Sequence, residues 1–257
     1  REFSAPFGEG DFALLKAALL YSENRCVIII TAHHVIADGR SLTYFIHDLL
    51  ETLSGKALPE LALLPPIETL CSPDTGPVGD IAMPAFTASP VPYAERSLPR
   101  LKIHRQRLSR ELSGKIREKS KQHNTTVHGA LAAAFALALY QSPSWPERPV
   151  RVTTPIDARK YDDLDYGLSF QALFPTYGYE ATSHERFWEI SRQVTQDLHA
   201  FRARPGMTAL VDMLESVMNN HGLDKMIKFD REICAPDILI SNLGVLPFTQ
   251  DFGKLTL

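Results

Sequence analysis

The sequence predicts an α/β fold: a strand-and-helix unit near the start, a proline-rich stretch, then a longer alternation of strands and helices. Three observations carry this reading. Short β-branched runs recur between segments of helical period, the alternation that an α/β sandwich requires. Prolines and small polar residues concentrate between Leu58 and Leu98. Finally, 44% of the 257 residues are apolar, which is enough for one large or two modest cores.

The first element is the continuous run Cys26-Val27-Ile28-Ile29-Ile30-Thr31, whose composition reads as a strand covered on both faces. It leads into Ala32-His33-His34-Val35-Ile36-Ala37-Asp38-Gly39, which places two histidines and an aspartate at the strand exit. Side chains alternate along a strand, so His33 and His34 should point to opposite sides: one faces a cleft as a base, the other braces the wall. Asp38-Gly39 then supplies a turn containing a residue tolerant of positive φ. Leu42, Phe45, Ile46, Leu49, Leu50 and Leu53 follow at helical spacing as one apolar stripe, which Asp38 is placed to cap and Gly55 to end.

Residues 59–99 read as a connector with little regular structure, between a first lobe at 1–58 and a second at 100–257. Beyond it the pattern predicts a strand at Leu101–Leu108, helices at Ser109–Gln122 and Thr126–Gln141, and a strand at Val150–Thr154. A strand near Leu168–Pro175, helices near Ser183–Phe201 and Thr208–Asn219, and a strand at Asp237–Ser241 complete the series.

Composition excludes several function classes. The net charge of −3 argues against a nonspecific nucleic-acid binder, and the basic run from Arg100 to Arg110 reads as a solvated strand and helix start. Asp157, Asp162, Asp163 and Asp165 read as a solvated acidic loop. No apolar stretch approaches the roughly 18 residues of a membrane helix. Cys26, Cys71 and Cys234 are too few and scattered for a disulfide scaffold, which fits a reducing cytoplasm. Adjacent histidines on a strand diverge, unlike the paired histidines of zinc-binding helices, so no metal is expected. There is no glycine-rich phosphate loop and no Gly-x-Ser-x-Gly elbow, which turns the reading away from nucleotide and serine hydrolases.

The string His33-His34-x-x-x-Asp38-Gly39, followed by Ser41 and an amphipathic helix, resembles the signature of the chloramphenicol-acetyltransferase-like superfamily. That group includes condensation domains and the polyketide-associated and alcohol acyltransferases. Three other places agree: the Ala- and Leu-rich run from Thr126 to Leu139, Thr154-Pro155-Ile156-Asp157-Ala158-Arg159, and Ser241-Asn242-Leu243-Gly244 with Asp251-Phe252-Gly253. Lys254-Leu255 stands where the plant enzymes continue with Trp-Gly, which points to the bacterial and fungal branches.

The resemblance implies a two-lobed α/β sandwich of which this chain is a fragment, incomplete at both ends. It implies that His34 is a general base taking the proton from an acceptor hydroxyl or amine as that atom attacks a thioester carbonyl. Residual activity without it would be no surprise, because such help is worth roughly a hundred- to ten-thousand-fold. It further implies that His33, Asp38 and Gly39 are structural and that Asp38 pairs with Arg159. Ser241 and Asn242 are either oxyanion donors or, with Gly244, merely a turn. Gly39 either admits substrate close to the backbone or simply starts the helix.

No tightly bound cofactor is expected; acyl-coenzyme A or a phosphopantetheine-linked acyl group would be the donor. The partners expected are therefore that thioester, an acyl carrier protein where the donor is carrier-bound, and an alcohol or amine acceptor. The Ser-Asn-Leu-Gly region favours ester formation, with an amide-forming condensation domain and a non-catalytic member as alternatives.

Overall fold

A computed structural model describes residues 7–8, 10, 12–67, 102–146, 148–159, 166–220, 236–246 and 251–253. The connector beyond residue 67, Cys71, Cys234, Asp162, Asp163, Asp165 and the segment from Lys254 lie outside the described residues. Residues 59–66 carry no regular structure.

The first unit is an antiparallel hairpin, β1 (Leu15–Tyr21) and β2 (Cys26–Ala32), in register from Leu15 opposite Ala32 to Tyr21 opposite Cys26. β1 lacks a clean alternation, and sequence pattern alone does not reveal it. β2 forms where its β-branched run demands, but it is not covered on both faces: Val27 and Ile28 are 51% and 40% exposed. Its strand neighbour among the described residues is β1, and only its second half, residues 29–32, is partly covered.

Helix α1 (Gly39–Leu53) follows, with the Asp38 side chain accepting from the Ser41 N–H, and the chain turns away at Gly55, whose φ of +93° suits glycine. Its orientation corrects the expected stripe. The buried side chains are Ser41, Tyr44 and Glu51, whereas Ile46 and Leu53 of the apolar stripe are exposed. A polar network, described below, holds the opposite face.

The second unit carries the core. Residues 102–108 are exposed and unpaired rather than a strand, because no described strand lies beside them to accept their hydrogen bonds. Helix α2 (Arg110–Gln122) is capped by Ser109 and leads to α3 (Val127–Tyr140), capped by Thr126. Ala132, Ala133 and Ala136 of α3 are fully buried, and their small side chains let it lie close against α4 (Phe187–Arg202). A short 3-10 turn, His184–Arg186, precedes α4. α4 turns Ile190, Val194, Leu198 and Phe201 inward, and α5 (Arg204–Asn220) adds Met207, Leu210 and Val211. Fully burying each such large side chain stabilises by about 1.5–3 kcal/mol.

The helices cover β3 (Val150–Thr153), buried throughout and central in a three-stranded sheet. It pairs antiparallel with β6 (Thr176–Tyr179) and parallel with β7 (Ile238–Leu239). The strand expected near Leu168–Pro175 is instead the short β5 (Ala172–Leu173), antiparallel to β4 (Ile156–Asp157); Pro175 interrupts it before β6.

Asp237 fixes β7 to β3: the Arg148 guanidinium donates to both its carboxylate oxygens at 2.7 Å, and the Arg151 N–H donates at 2.8 Å. Burial alone would raise the Asp237 pKa, but the Arg148 and Arg151 hydrogen bonds and charges outweigh it and hold the carboxyl below its usual value. A depressed folded-state pKa contributes stability that is present at neutral pH and lost as pH falls through it. The urea midpoint is therefore expected to drop below about pH 4, and Asp237→Asn to lower it at neutral pH and flatten that dependence. At Gly129 a Cβ would stand 2.5 Å from the Ser191 carbonyl oxygen and 2.6 Å from Thr195 Oγ1. Gly129→Ala should cost about 2–3 kcal/mol, a loss of about 5–10 °C in Tm. An unchanged melting curve would show that α3 and α4 separate freely.

Candidate active site

Asp38 sits at the end of the two-histidine run and is 5% exposed. One carboxylate oxygen caps α1, accepting from Ser41 N at 2.8 Å and Ser41 Oγ at 3.1 Å. The other accepts from the backbone N–H of Gln171 and from Arg159 Nη2, each at 2.9 Å. Cap and ion pair are thus one arrangement, and the aspartate has no capacity left for a histidine.

Arg159 is 1% exposed and reaches further: Nη1 donates to Asp157 Oδ1 at 3.0 Å, and Nη2 to Ser41 Oγ at 2.7 Å and to the Ser169 carbonyl at 2.8 Å. Asp157 therefore belongs to this knot, with Arg40 Nε also 3.4 Å away, and not to a solvated loop. The Ser41 hydroxyl is within hydrogen-bond reach of both the carbonyl and the N–H of Ser169. Gln171, fully buried, donates from Nε2 to the Pro65 carbonyl at 2.7 Å. Four chain segments meet here: 38–41, 65, 157–159 and 169–171.

Gln171 is the member that motif reading missed, while Ser41 and Asp157 stand in the quoted motifs with no part in this network assigned to them there. A lone amide inside the apolar run Phe170-Gln171-Ala172-Leu173-Phe174 was the available signal, since a buried amide needs partners.

A second network holds the same loop to α1. The Tyr166 hydroxyl donates to Asp48, and His47 Nδ1 lies 2.9 Å from that hydroxyl. Burial first, and then the bond to Asp48, push the Tyr166 phenol well up, so it stays a donor.

The two histidines go to different neighbours. His33 continues the hairpin, its N–H donating to the Leu14 carbonyl at 2.8 Å. Its Nδ1 accepts from Val35 N at 3.2 Å, and its ring lies edge-on to Phe7 at 5.4 Å. His34 is exposed, and its ring meets Phe170 in an edge-to-face contact with centroids 5.5 Å apart at 74°. His33 is engaged with its own hairpin and His34 with the second unit.

Asp38, Gly39, Arg40 and Arg159 line a cleft of about 510 Å3 together with Ser241 and Asn242; neither histidine lines it. Asn242 Oδ1 accepts from Gly244 N at 2.8 Å, and Gly244 has φ +67°, so the Asn242-Gly244 turn is present. That bond leaves the Asn242 amide N–H groups and the exposed Ser241 hydroxyl on the cleft wall. Gly39 does not adopt positive φ; it begins α1, and a Cβ there would lie 3.3 Å from Leu243 Cδ2. A side chain at this position would press on the Leu243 side chain, which would have to shift by a few tenths of an ångström.

Behind this region His128 Nε2 lies 3.0 Å from Thr154 Oγ1, and burial, then the charge of Arg202, lower its pKa and keep the imidazole neutral. Among the described residues there is no group of three or more side chains arranged to hold a metal ion, and no helix long and apolar enough to cross a membrane.

Residues 98–163 match the family described as phthiocerol/phthiodiolone dimycocerosyl transferase C-terminus. A stretch of 64 residues, 24% of this chain and 2% of the relative, is 39% identical to surfactin synthase subunit 2 of Bacillus subtilis (strain 168). Among solved structures, polyketide synthase associated protein 5 from Mycobacterium tuberculosis superposes with a TM-score of 0.63 at 16% identity, covering 95% of this chain and 64% of that one. The first condensation domain of the calcium-dependent antibiotic synthetase, bound to a substrate analogue, gives 0.56 at 16% identity, covering 94% of this chain and 53% of that one. This chain thus spans between about half and two-thirds of those structures. The fold is the α/β fold of these two structures.

Breaking one side of a buried pair costs about 3–5 kcal/mol, so Asp38→Ala is expected to lower unfolding stability by that amount in urea titration. Asp38→Asn, which keeps an acceptor for Ser41 but loses the charge, should fall between the alanine variant and the parent. A fully stable Asp38→Ala protein would refute the structural role.

Proposed function

We propose that the protein is an acyltransferase that moves an acyl group from a thioester donor to an acceptor hydroxyl, with His34 as general base. The observation that supports this reading is the buried Asp38–Arg159 contact just after the two-histidine run, with His34 exposed beside Phe170. Rigid support of an accessible imidazole is what positioned proton transfer needs, and imidazole is the side chain best suited to accept a proton near neutral pH.

In the proposed step His34 removes the acceptor proton as the oxygen forms a bond to the thioester carbonyl carbon, leaving an imidazolium and a tetrahedral oxyanion. Collapse re-forms the carbonyl and breaks the C–S bond, and the proton passes from His34 to the departing thiolate. The acceptor gains the acyl group and the donor leaves as a free thiol. Ser241 and Asn242, whose donors line the neighbouring cleft, are the groups proposed to receive the oxyanion.

The donor is acyl-coenzyme A or a carrier-bound pantetheine thioester, and no tightly bound cofactor enters the scheme. The working compartment proposed is a reducing cytoplasm, where the exposed Cys26 thiol remains free.

A second reading rests on the 64-residue match to surfactin synthase subunit 2 and on the condensation-domain superposition. An amine acceptor attacking a carrier-bound donor would use the same His34 chemistry and give an amide. Thiol release should be followed with acyl-coenzyme A and carrier-loaded donors against mixed alcohols and amines. Acceptor-dependent release is expected to fall at least about a hundredfold in His34→Ala, and the productive acceptor separates ester from amide. Release that survives the substitution unchanged sinks the assigned role.

A further inference from the structure

The cleft beside the two-histidine run holds more positive charge than negative. Arg40, Arg159 and Arg202 line it, against the carboxylates of Asp38 and Asp157. Both carboxylates are already engaged. Asp38 accepts from Ser41, Gln171 and Arg159, and Asp157 lies 3.0 Å from Arg159 Nη1 and 3.4 Å from Arg40 Nε. Arg40 Nε also donates to the Tyr44 hydroxyl at 2.8 Å, which fixes that side chain at the wall. Arg202 reaches the wall from the last turn of α4, where it is exposed.

The remaining polar wall consists of donors. Asn242 Oδ1 is taken by the Gly244 N–H, which leaves its amide N–H groups beside the Ser241 hydroxyl. Arg159 Nε is buried and has no hydrogen-bond partner among the described residues. Pro155, Ile156 and Leu243 supply apolar contact between these groups. The charge of Arg202 is not fully screened by water, because after burial it is the second cause that lowers the His128 pKa. Donors, an excess of positive charge and a short apolar stretch within about 510 Å3 fit a small organic acid.

In the proposed step the cleft adjoins the reacting carbonyl, since Ser241 and Asn242 are the groups proposed to receive its oxyanion. The acceptor oxygen is bonded to the same carbon in the tetrahedral adduct, so the atoms just beyond that oxygen come within reach of the cleft. The phosphate of a pantetheine donor is more remote, because the β-alanine and pantoyl units stand between it and the sulfur.

We propose that Arg40 and Arg202 are specificity-determining residues that bind a carboxylate on the acceptor, so that the hydroxyl receiving the acyl group belongs to a small hydroxy acid. The inference rests on the acyl-transfer reading and names the acceptor class for that site. A guanidinium presents paired N–H donors that match a carboxylate, and such charge-assisted hydrogen bonds are roughly twice as strong as neutral ones.

Binding and turnover are measured separately. Glycolate, lactate, γ-hydroxybutyrate and ε-hydroxycaproate are titrated calorimetrically into the protein, each beside its amide. The best acid should bind at least about tenfold more tightly than its amide, and the difference should shrink as salt is raised. Arg202→Gln should reduce that preference about fivefold or more, Arg202→Lys should keep part of it, and Arg202→Glu should abolish it. Arg40→Gln should also reduce it; folding is checked by the thermal transition, and an unfolded Arg40→Gln leaves the Arg202 series to decide. With an acyl thioester present, the ratio of kcat/KM for acid over amide should follow the same order.

The imidazole of His128 gives a second readout. A carboxylate against Arg202 offsets the charge that lowers the His128 pKa, so its titration followed by NMR should move up with the acid bound and stay in place with the amide. Arg202→Gln should move it up without ligand and remove the response. S-methyl pantetheine phosphate and S-methyl pantetheine form the control pair. If Arg202 governs the difference within that pair and not between acids and amides, the anion is the phosphate of the donor and the proposal falls. Acids and amides of equal affinity, or a preference indifferent to Arg202→Gln, also overturn it. Because binding is read without turnover, acid preference without transfer to any hydroxyl would strike the acyl-transfer reading alone. Transfer that depends on His34 but shows no acid preference would strike the carboxylate site alone.

Discussion

The buried contact between Asp38 and Arg159 is the constraint on which the rest of the site depends. Two charges withdrawn from water cost several kcal/mol each, and hydrogen bonds to both groups offset that cost, although Arg159 Nε is left without a partner among the described residues. Here the carboxylate accepts from Ser41, Gln171 and Arg159, and the guanidinium adds Asp157, Ser41 and the Ser169 carbonyl. An apolar contact of the same volume would serve stability equally well. It would not fix the direction in which the chain leaves β2 and enters α1.

The knot also explains the unexpected attitude of α1. With Asp38 capping it and Ser41 inside the network, the face bearing Ser41, Tyr44 and Glu51 is drawn inward. The apolar stripe of Leu42, Ile46 and Leu53 is consequently turned outward or left half-covered, as Ile46 and Leu53 show. Periodicity identifies the helix and both its ends, yet it does not say which face is buried. The hydrophobic effect by itself favours burying the leucine side, and a network with partners more than a hundred residues distant overrides it.

Legibility varies for the same reason elsewhere. Helices α1 to α5 are readable because their caps and periods are local: Ser109, Thr126 and Gly55 each act within a turn. Short strands are not, since β4 and β5 are two residues each and owe their existence to each other and to the knot. The position of β2 is legible and its burial is not, because a sequence shows what a strand is fit for and not which neighbours it has. At the site, Asp38, Asp157 and Arg159 stand in quoted motifs, whereas Gln171 depends on contacts that no spacing rule encodes.

The separation in sequence of the groups in the knot has a kinetic consequence. Gln171 and Asp38 are 133 residues apart and Arg159 and Ser41 are 118 apart, while the hydroxyl cluster joining α3 to α4 spans 66 from Thr125 to Ser191. Loop-closure entropy grows only slowly with length, by about 0.6 kcal/mol per doubling, but it must be met before any distant contact gives a return. The helical layer can therefore assemble on its own contacts, whereas the two-histidine run becomes oriented only when the longest loop has closed. The tie between the first hairpin and the second unit would then be the last feature of the fold that the chain acquires.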